Sequence, residues 1–495
     1  MKKVWAFDLG ASNGRLMLSK FSGDHLEIEE VHRFKNEPVF LTSHYYWDIL
    51  KIFDEMKTGI LKSVKQGHGD ISSVAVDTWG VDFGLLTKQG EILGNPFSYR
   101  DSQTFRGINL VLQKLSANEW FGISGVEPAP INTICQLAAI QERNPELLEQ
   151  ANSLLLTPNL VSYLFSGVKA NEFTISTTTS MLNIEQRTWD EELLDTFQIP
   201  KGIMAPVVEP GTVLGPTLES INQELNINPV PVIAGAGHDT ACALAALPLK
   251  DDHSAFMSCG TWILLGVQVK EPVITKQSLE WGFTNEGTMD GDYRLLKNSM
   301  GLWLIQQCKK VWEKEGSGIS YTEEAAFVKE AKPFQSFINP DLDVFLNPID
   351  MVKKIQNVCQ ETHQSVPETK GEILRVILES LALKYRWVIE RMEQLTGKRI
   401  HVINMGGGGI QNEWLCQFTA NATQRQVVAG PIEVSSIGNS IGQLLALGEI
   451  NNLAEARSLV ASSFTTTTYE PENPGEWQQA YERFTDLIKQ GRNHL

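Results

Sequence analysis

Short apolar runs alternate along this chain with polar turns that contain glycine and with longer segments of helical periodicity. Residues 4–7 and 74–76 are apolar runs of strand length, and residues 400–403 form a similar run with one histidine; each precedes a turn rich in glycine or aspartate. Apolar side chains recur at helical spacing over residues 46–65 and 369–397. Strands that alternate with helices in this way predict an α/β fold.

Two predicted hairpins lie about half a chain apart and have the same order of strand, glycine tip and strand. The first tip is residues 8–15, and the second is residues 258–261. The echo indicates two lobes of like topology that face each other across a cleft, although a match this short also arises by chance. We expect an N-terminal lobe over 1–244, a C-terminal lobe over 245–455, and a helical segment over 456–495 that returns to the N-terminal lobe.

Composition supports a compact chain and narrows its partners. Of 495 residues, 42% are apolar and 20% charged, as in ordinary globular proteins. The formal charge of -17 repels phosphate backbones and anionic lipids, so we expect no nucleic acid and no membrane partner. The six cysteines have no Cys-x-x-Cys pair, and the first eight residues lack the apolar core of a signal peptide. These features favour a cytoplasmic protein with reduced thiols.

The first glycine tip has the groups needed to hold a phosphate chain. Glycine amides bind phosphate oxygens, Asp8 is placed to hold a hydrated metal ion, and Arg15 lies near enough to balance charge. An ordinary exposed hairpin explains the same residues.

A second group of residues suits a sugar. Gly80 lies between aromatic residues and is flanked by two acids, a combination that binds the apolar faces and the hydroxyl groups of carbohydrates. Arg100 and Asp101 follow, and they either bind sugar hydroxyls or pair with other surface side chains. Capped turns at a strand end are the alternative for the whole segment.

The segment His238-Asp239-Thr240 follows two Ala-Gly pairs and opens an apolar helix. It offers a base, an orienting group and a hydroxyl, and Asp239 is the candidate general base. In the alternative interpretation, Asp239 or Thr240 caps the helix.

Two features of the second half add candidates. Four glycines over 406–409 separate a predicted strand from a helix, and we attribute them to close approach of a base and ribose rather than to packing. Asn298 either faces the cleft or caps the next helix.

Together these segments resemble those of the FGGY carbohydrate kinases, in the same order and over nearly the whole chain. The segments that carry the resemblance are residues 7–15, 77–83, 99–101, 237–240, 258–262 and 407–412. The resemblance implies two ribonuclease-H-like lobes of the actin and hexokinase superfamily around a central cleft, and MgATP-dependent phosphorylation of a sugar. Residues 78–83 and 297–304 favour L-rhamnulose, phosphorylated at its 1-hydroxyl.

The resemblance also implies individual roles. Asp239 takes the hydroxyl proton, and Asp8 holds Mg²⁺ through water. The residues expected to bind the sugar are Gly80, Arg100, Asp101, His238, Thr240 and Asn298. The residues expected to bind ATP are Ala11, Ser12, Asn13, Gly14, Arg15, Thr261, Gln306, Gly407, Gly408 and Gly409. Asn13 and Cys259 stand where serine is common in the family, and neither removes a backbone amide.

Three alternatives remain at this point. A related kinase for another ketose, such as L-fuculose, shares all the phosphate chemistry. An actin-like or chaperone-like ATPase shares the hairpins but needs no sugar-facing base. A P-loop or dinucleotide enzyme is disfavoured, because the chain has neither a Gly-x-x-x-x-Gly-Lys-Ser/Thr motif nor a Gly-x-Gly-x-x-Gly motif after a strand.

Overall fold

The chain folds into two compact units, each built from several segments. The structure, a computed structural model, describes residues 1–346 and 348–491. The first unit contains Met1–Pro248, Gln268–Leu295 and Val434–Phe464, and the second contains Leu249–Val267, Leu296–Glu433 and Thr465–Leu495.

The strands of the described residues are β1 (Lys2–Leu9), β2 (Asn13–Phe21), β3 (Leu26–Lys35), β4 (Val39–Leu41), β5 (His44–Tyr46), β6 (Ser73–Thr78), β7 (Phe83–Leu86), β8 (Ser153–Leu156), β9 (Asn171–Glu172), β10 (Leu182–Asn183), β11 (Thr188–Trp189), β12 (Val207–Val208), β13 (Thr212–Pro216), β14 (Pro231–Ala234), β15 (Ser254–Cys259), β16 (Trp262–Val269), β17 (Thr284–Gly287), β18 (Tyr293–Met300), β19 (Val402–Gly406), β20 (Gln426–Ala429) and β21 (Thr467–Tyr469).

The α-helices of the same residues are α1 (Ile49–Lys65), α2 (Gln103–Lys114), α3 (Ala117–Ser124), α4 (Thr133–Arg143), α5 (Pro145–Gln150), α6 (Thr157–Ser166), α7 (Phe173–Ser176), α8 (Glu191–Thr196), α9 (Glu219–Leu225), α10 (Asp239–Ala246), α11 (Lys276–Glu280), α12 (Trp303–Lys314), α13 (Tyr321–Glu330), α14 (Met351–Glu361), α15 (Lys370–Thr396), α16 (Glu413–Thr423), α17 (Val434–Ala446), α18 (Leu453–Ser463) and α19 (Pro474–Gly491). Short 3₁₀ turns lie at Thr177–Thr179, Lys201–Ile203, Asp343–Phe345 and Gly408–Gln411. No helix among the described residues is both long and apolar enough to span a bilayer.

The main sheet of the first unit has the strand order β13-β14-β6-β1-β2-β3. The outer strands pair antiparallel, whereas β6 runs parallel to both β1 and β14. Central strands are covered on both faces, and β1 accordingly buries Trp5 and Phe7 completely. The carboxyl ends of β1, β6 and β14 therefore meet at one edge of the sheet, where ligands bind in open α/β folds.

The second unit repeats this pairing pattern. Its strands β15 and β16 form an antiparallel hairpin, β15 runs parallel to β19, and β19 runs parallel to β20. Strand β21 closes the edge antiparallel to β20. The two predicted glycine-tipped hairpins are therefore confirmed, and each begins a sheet in which parallel strands follow.

The predicted helices at residues 46–65 and 369–397 are also confirmed. Asp48 caps α1, and its side chain accepts a hydrogen bond from the Lys51 amide. A capping box between Thr369 and Glu372 begins α15, and Gly397 ends it in the left-handed conformation.

The division into units differs from the predicted continuous ranges in its second half. Residues 434–464 belong to the first unit because α17 packs against α10 and β1. At Gly438 the two helices come so close that a Cβ would lie 1.8 Å from the Cys242 carbonyl oxygen. The last segment was predicted as residues 456–495 and to return to the N-terminal lobe. Residues 456–464 belong to the first unit, whereas Thr465–Leu495 belongs to the second, where β21 pairs with β20 and α19 packs on α16.

Candidate active site

Asp239 lies at the start of α10, after β14, and in the part of the chain that the structure describes its side-chain contacts are made through Oδ1. Asp239 Oδ1 lies 2.7 Å from His238 Nδ1 and accepts a hydrogen bond from Thr240 Oγ1 at 3.1 Å. The side chain remains 32% exposed. Asp239 is the first residue of α10, and the N-cap is His238. The alternative in which Asp239 or Thr240 caps the helix is therefore wrong.

Hydrogen bonding at His238 determines the charge of Asp239. The Thr240 amide also approaches Nδ1, at 3.2 Å. If Nδ1 carries a proton it donates to Asp239, and if it does not it accepts from Thr240, so only one of these two hydrogen bonds can form. We place the proton on Nδ1, because the shorter contact is with a carboxylate. Burial alone would raise the pKa of Asp239, yet the hydrogen bond and charge of His238 and the bonds from Thr240 hold it below its ordinary value. Asp239 is thus ionised at neutral pH.

Buried groups hold the backbone of this loop from both sides. The Gly237 carbonyl accepts a hydrogen bond from the Thr78 amide at 2.9 Å, and its amide donates to Glu172 Oε2 at 2.8 Å. Glu172 is fully buried and also accepts bonds from the amide and hydroxyl of Thr174 and from the Ile175 amide. Sequence reasoning missed Glu172, although a run of hydroxyl residues at 176–180 follows it in the chain.

The strands beside the first glycine tip place Asp8 next to Arg15. The two residues are cross-strand partners, and Arg15 Nη2 donates to Asp8 Oδ2 at 2.6 Å. Ser436 Oγ, from α17, donates to the same oxygen at 2.9 Å. Gly14 faces the Phe34 ring, where a Cβ would come within 2.3 Å of a ring carbon. Glycine at this position therefore has a packing reason as well as the proposed phosphate role.

The tip itself is a tight turn that contains Ala11 and Ser12. The Gly10 amide donates to the Asn13 carbonyl at 2.8 Å and closes the turn. Asn36, which follows β3, stabilises the turn with two hydrogen bonds. Its side-chain Nδ2 donates to the Gly10 carbonyl at 2.8 Å, and its backbone amide donates to the Ser12 carbonyl at 3.1 Å. No motif drew attention to Asn36 in the sequence.

Three carboxylates interact electrostatically at the carboxyl edge of the first sheet. Asp8 and Asp77 are neighbours in register on parallel strands. Burial raises the pKa of both, Asp239 raises both further, and Asp8 also raises that of Asp77. Asn439 Nδ2 donates to Asp77 Oδ2 at 2.7 Å, whereas buried Asp77 Oδ1 has no hydrogen-bond partner among the described residues.

This orphaned oxygen tests whether a cation fits here. Closely spaced carboxylates favour a divalent ion, because it would relieve their repulsion. Within residues 1–346 and 348–491, however, no group of three His, Cys, Asp or Glu side chains is arranged to ligate a metal directly. The neighbouring carboxylates of Asp8 and Asp77 have the chemistry to hold a hydrated cation, and that role of Asp8 stays a prediction.

The segment after β6 is anchored by a buried carboxylate. Asp82 Oδ2 accepts hydrogen bonds from the indole nitrogens of Trp47 at 2.6 Å and Trp79 at 2.9 Å. Burial raises the pKa of Asp82 to about 6, although these donors oppose the shift. Gly80 packs beside Thr178, whose side chain would lie 3.2 Å from a Cβ. The two indoles and the Gly80 backbone are thus fixed in one place.

Val81 adds local strain to this segment. Its φ of 70° lies in the left-handed region, which a β-branched residue adopts at a cost of about 1–3 kcal/mol. Hydrogen bonds hold the Val81 backbone in this conformation. Its amide donates to Thr178 Oγ1 at 3.1 Å, and its carbonyl accepts bonds from Thr133 Oγ1 and Gln136 Nε2. Strain held by buried bonds is common at functional sites, and it supports a binding role for the adjacent Gly80.

Arg100 and Asp101 are both engaged with protein groups. Arg100 Nε donates to Tyr99 Oη at 3.1 Å, and its guanidinium lies 5.4 Å from the centre of that ring. Asp101 is 1% exposed, lies 3.0 Å from His44 Nδ1 and accepts from the Tyr45 amide at 2.7 Å. Asp101 therefore anchors the β4–β5 hairpin, and sugar binding by these two residues stays a prediction.

The second unit contains Thr261, Asn298 and Gln306. Thr261 lies at the tip between β15 and β16, and its carbonyl accepts a hydrogen bond from the Trp303 amide at 3.3 Å. Gln306 is an exposed residue of α12. Asn298 is an exposed residue of β18, and α12 begins only at Trp303 with Leu302 as its N-cap. The alternative in which Asn298 caps this helix is wrong.

Packing explains two of the glycines that were attributed to nucleotide approach. A Cβ on Gly407 would lie 2.6 Å from the Cys259 carbonyl oxygen, and one on Gly409 would lie 2.9 Å from Cys259 Cβ. Gly407 also has a φ of 90°, which favours glycine. Only at Gly408, among these three, does a Cβ meet nothing within 4 Å. The expectation that packing could not account for the run is therefore corrected, and Gly408 is the one left open to a ligand.

The geometry of both units can now be compared with that of known proteins. Residues 4–246 match the N-terminal domain of the FGGY family of carbohydrate kinases, and residues 255–447 match its C-terminal domain. The chain belongs to the FGGY family of carbohydrate kinases. It is a sugar kinase, and the predicted actin/hexokinase-type fold is confirmed.

Curated relatives cover essentially the full chain of this FGGY kinase. The chain is 38% identical over 488 residues to a protein of Bacteroides thetaiotaomicron named rhamnulokinase. The alignment covers 99% of this chain and 100% of the relative. It is 37% identical over 489 residues to a rhamnulokinase of Pectobacterium atrosepticum, with coverage of 98% and 97%.

Solved structures agree on the fold. The ligand-bound xylulose kinase of Lactobacillus acidophilus superposes with a TM-score of 0.82 at 18% identity, covering 100% of this chain and 98% of that one. The glycerol kinase of Plasmodium falciparum with ADP superposes with a TM-score of 0.81 at 14% identity, with coverage of 99% and 98%.

The pKa of Glu172 yields a test of how the loop before Asp239 is held. Burial raises this pKa to about 7, although bonds from Thr174, Gly237 and Ile175 oppose the shift. The folded protein thus binds this proton more tightly than the unfolded chain, whose ordinary glutamate pKa is about 4.3. The contribution of Glu172 to stability is therefore most favourable below about pH 4 and is lost as the pH rises to about 7.

We expect Glu172→Gln to remove this pH dependence. The free energy of unfolding of the wild type should fall relative to that of the variant between about pH 4.5 and 7, by at most about 1.4 kcal/mol per pH unit. Urea unfolding at several pH values measures it. A difference between the two proteins that does not change with pH would contradict the assignment.

Proposed function

We propose that this FGGY kinase transfers the γ-phosphoryl group of ATP to the 1-hydroxyl of L-rhamnulose, with Asp239 as general base. The observation that carries the choice of sugar is the match over nearly the full length to curated relatives named rhamnulokinase. The geometry supports the same chemistry, since Asp239 is ionised, partly exposed and held through one oxygen.

The proton and the phosphoryl group move in one exchange. Asp239 accepts the proton of the sugar hydroxyl, and the hydroxyl oxygen bonds to the γ-phosphorus. The bond between the γ-phosphorus and the oxygen that bridges it to the β-phosphorus breaks, which releases ADP. Phosphoryl transfer needs positioning and charge stabilisation more than a strong base, so a carboxylate of low pKa suffices. The low pKa also keeps the carboxylate free of a proton at neutral pH.

The first glycine tip binds the phosphate chain in this proposal. The backbone amides of residues 11–15 would bind phosphate oxygens, and Asp8, whose register partner is Asp77, would hold Mg²⁺ through water. Mg²⁺ bound with ATP would neutralise the charge that develops on the phosphate oxygens. Thr261, Gln306 and Gly408 are also proposed to bind ATP.

The sugar is bound by Gly80, His238, Thr240 and Asn298. Gly80 offers backbone groups that the buried Asp82 and the strained Val81 keep in place. An actin-like or chaperone-like ATPase is set aside because the chain belongs to a carbohydrate kinase family. A kinase for a different ketose, such as L-fuculose, is the alternative that the first experiment tests. The cytoplasmic location stays a prediction.

A panel of sugars tests the substrate. We expect ADP release from MgATP to rise strongly with L-rhamnulose and only weakly with L-fuculose, xylulose or glycerol, because the pocket contacts the sugar while the phosphate chemistry is common to all. A coupled assay for ADP measures it. Equal release with and without every sugar would refute kinase activity, and a stronger response to L-fuculose would replace the substrate.

Asp239→Asn tests the base. We expect kcat to fall by about 10²–10⁴-fold, the usual contribution of a general base, while the Kd for ATP changes little. Steady-state kinetics and calorimetry measure the two quantities. The matched control is Asp350→Asn at the N-cap of α14, where asparagine caps equally well and activity should be retained. If Asp239→Asn keeps more than a few per cent of the wild-type rate, Asp239 is not the base.

Gly408→Ala separates nucleotide contact from packing. Because its Cβ enters open space, we expect the free energy of unfolding to change by less than about 0.5 kcal/mol and the Kd for ATP to rise about tenfold. Gly409→Ala should instead destabilise the protein by about 1–3 kcal/mol, since its Cβ meets Cys259. Unchanged ATP affinity in Gly408→Ala would remove this residue from the nucleotide site.

A further inference from the structure

A buried ion pair lies behind the histidine that holds Asp239. Arg294, in β18, is fully buried, and its Nη2 and Nε donate to Glu286 Oε2 at 2.5 and 3.2 Å. Its Nη1 donates to the Gly287 carbonyl at 2.6 Å. Glu286, in β17, is 6% exposed. A buried charge pair of this kind is costly to desolvate, and packed apolar side chains often replace it without loss of stability. The pair therefore invites an explanation other than stability.

The position of the Glu286–Arg294 pair beside His238 supplies an explanation. His238 Nε2 lies 3.6 Å from Glu286 Oε2, while His238 Nδ1 lies 2.7 Å from Asp239 Oδ1. The imidazole ring, only 10% exposed, is thus held between two carboxylates, one of which Arg294 neutralises. Arginine, glutamate, histidine and aspartate form a continuous chain of alternating partners that ends at the candidate base.

The chain has a direct consequence for the base. With a proton on each ring nitrogen, His238 is a cation that donates from Nδ1 to Asp239 Oδ1. Its attraction to the Glu286 carboxylate, whose Oε2 lies 3.6 Å from Nε2, keeps the ring in that orientation. That bond engages one oxygen and leaves the other for the sugar hydroxyl. Without it, Asp239 would face the carboxylates of Asp8 and Asp77 with one donor fewer.

We propose that Glu286 and Arg294 are positioning residues for phosphoryl transfer: Arg294 holds Glu286, and Glu286 holds His238 so that Asp239 presents a single free oxygen to the sugar hydroxyl. The proposal rests on the proposed function of Asp239 as general base. Neither residue touches substrate in this arrangement, since each acts through His238.

The pair is tested by Glu286→Gln, compared with Glu379→Gln as a matched control. Glu379 in α15 is also buried and also accepts from an arginine, Arg375 at 2.5 Å, so its variant costs stability in the same way. For Glu286→Gln we expect kcat to fall about 10- to 100-fold, as displacement of a catalytic group by about 1 Å would cause, with the Kd for ATP unchanged. The control should keep a kcat within about twofold of wild type, because its arginine contacts no residue of the site.

The pH profile provides a readout that loss of stability alone would not change. The acid limb of the rate profile reports the protonation of Asp239, and loss of the His238 donor should move it upward by about one pH unit, the shift equivalent to one charge-assisted hydrogen bond. Nitrogen-15 spectra of histidine-labelled protein, assigned with His238→Gln, should show protons on both ring nitrogens of His238 in the wild type and a proton on only one of them in Glu286→Gln.

A conservative variant covers the case in which Glu286→Gln does not fold. Glu286→Asp leaves a carboxylate for Arg294 but withdraws it from His238, so the protein should fold while kcat falls and the acid limb moves in the same direction. A kcat and pH profile equal to those of Glu379→Gln would overturn the proposal, as would a parallel loss of ATP affinity. If the wild-type protein releases no ADP in response to any sugar, the proposed function fails. Failure of the positioning proposal is different, because the wild type then remains active and only the predicted effect of the Glu286 variants is missing.

Discussion

The first unit is organised around three aspartates at the carboxyl ends of neighbouring parallel strands. Two are the register partners Asp8 and Asp77, and the third, Asp239, follows β14. Negative charges this close repel each other, so the surrounding residues must supply donors or the acids must keep their protons. Helix α17 supplies two of those donors, Ser436 to Asp8 and Asn439 to Asp77, although it lies some 200 residues after Asp239 in the sequence. The site is therefore assembled from distant parts of one unit.

The same constraint sorts the acids by role. Burial raises the pKa of Asp77, of Asp82 to about 6 and of Glu172 to about 7, whereas His238 and Thr240 hold that of Asp239 below its ordinary value. Environments that give neighbouring carboxyl groups different pKa values commonly mark groups with different functions. Glu172 and Asp82 hold backbone and indole groups, which leaves Asp239 as the carboxylate that is both ionised and partly exposed.

Local patterns predicted the local structure well. The two hairpins, α1 and α15 followed from apolar periodicity and capping residues, which act over a few neighbouring positions. Interpretation of the four-glycine run failed because the deciding contact came from elsewhere, since Cys259 packs against Gly407 and Gly409. Asp101 likewise has partners in the β4–β5 hairpin that the sequence did not show. In both cases the residue type was compatible with ligand binding, but its partner was another part of the protein.

The sequence by itself determined the family and the two hairpins, and it marked Asp239 as the candidate base, because these depend on residue types at fixed spacing. Only the tertiary structure decided what surrounds Asp239. The ion pair of Glu286 with Arg294, the anchoring by Glu172 and the donors from α17 join positions that are 8 to several hundred residues apart. The strength of each contact depends on distance and burial in the folded chain, and neither quantity can be read from spacing in the sequence.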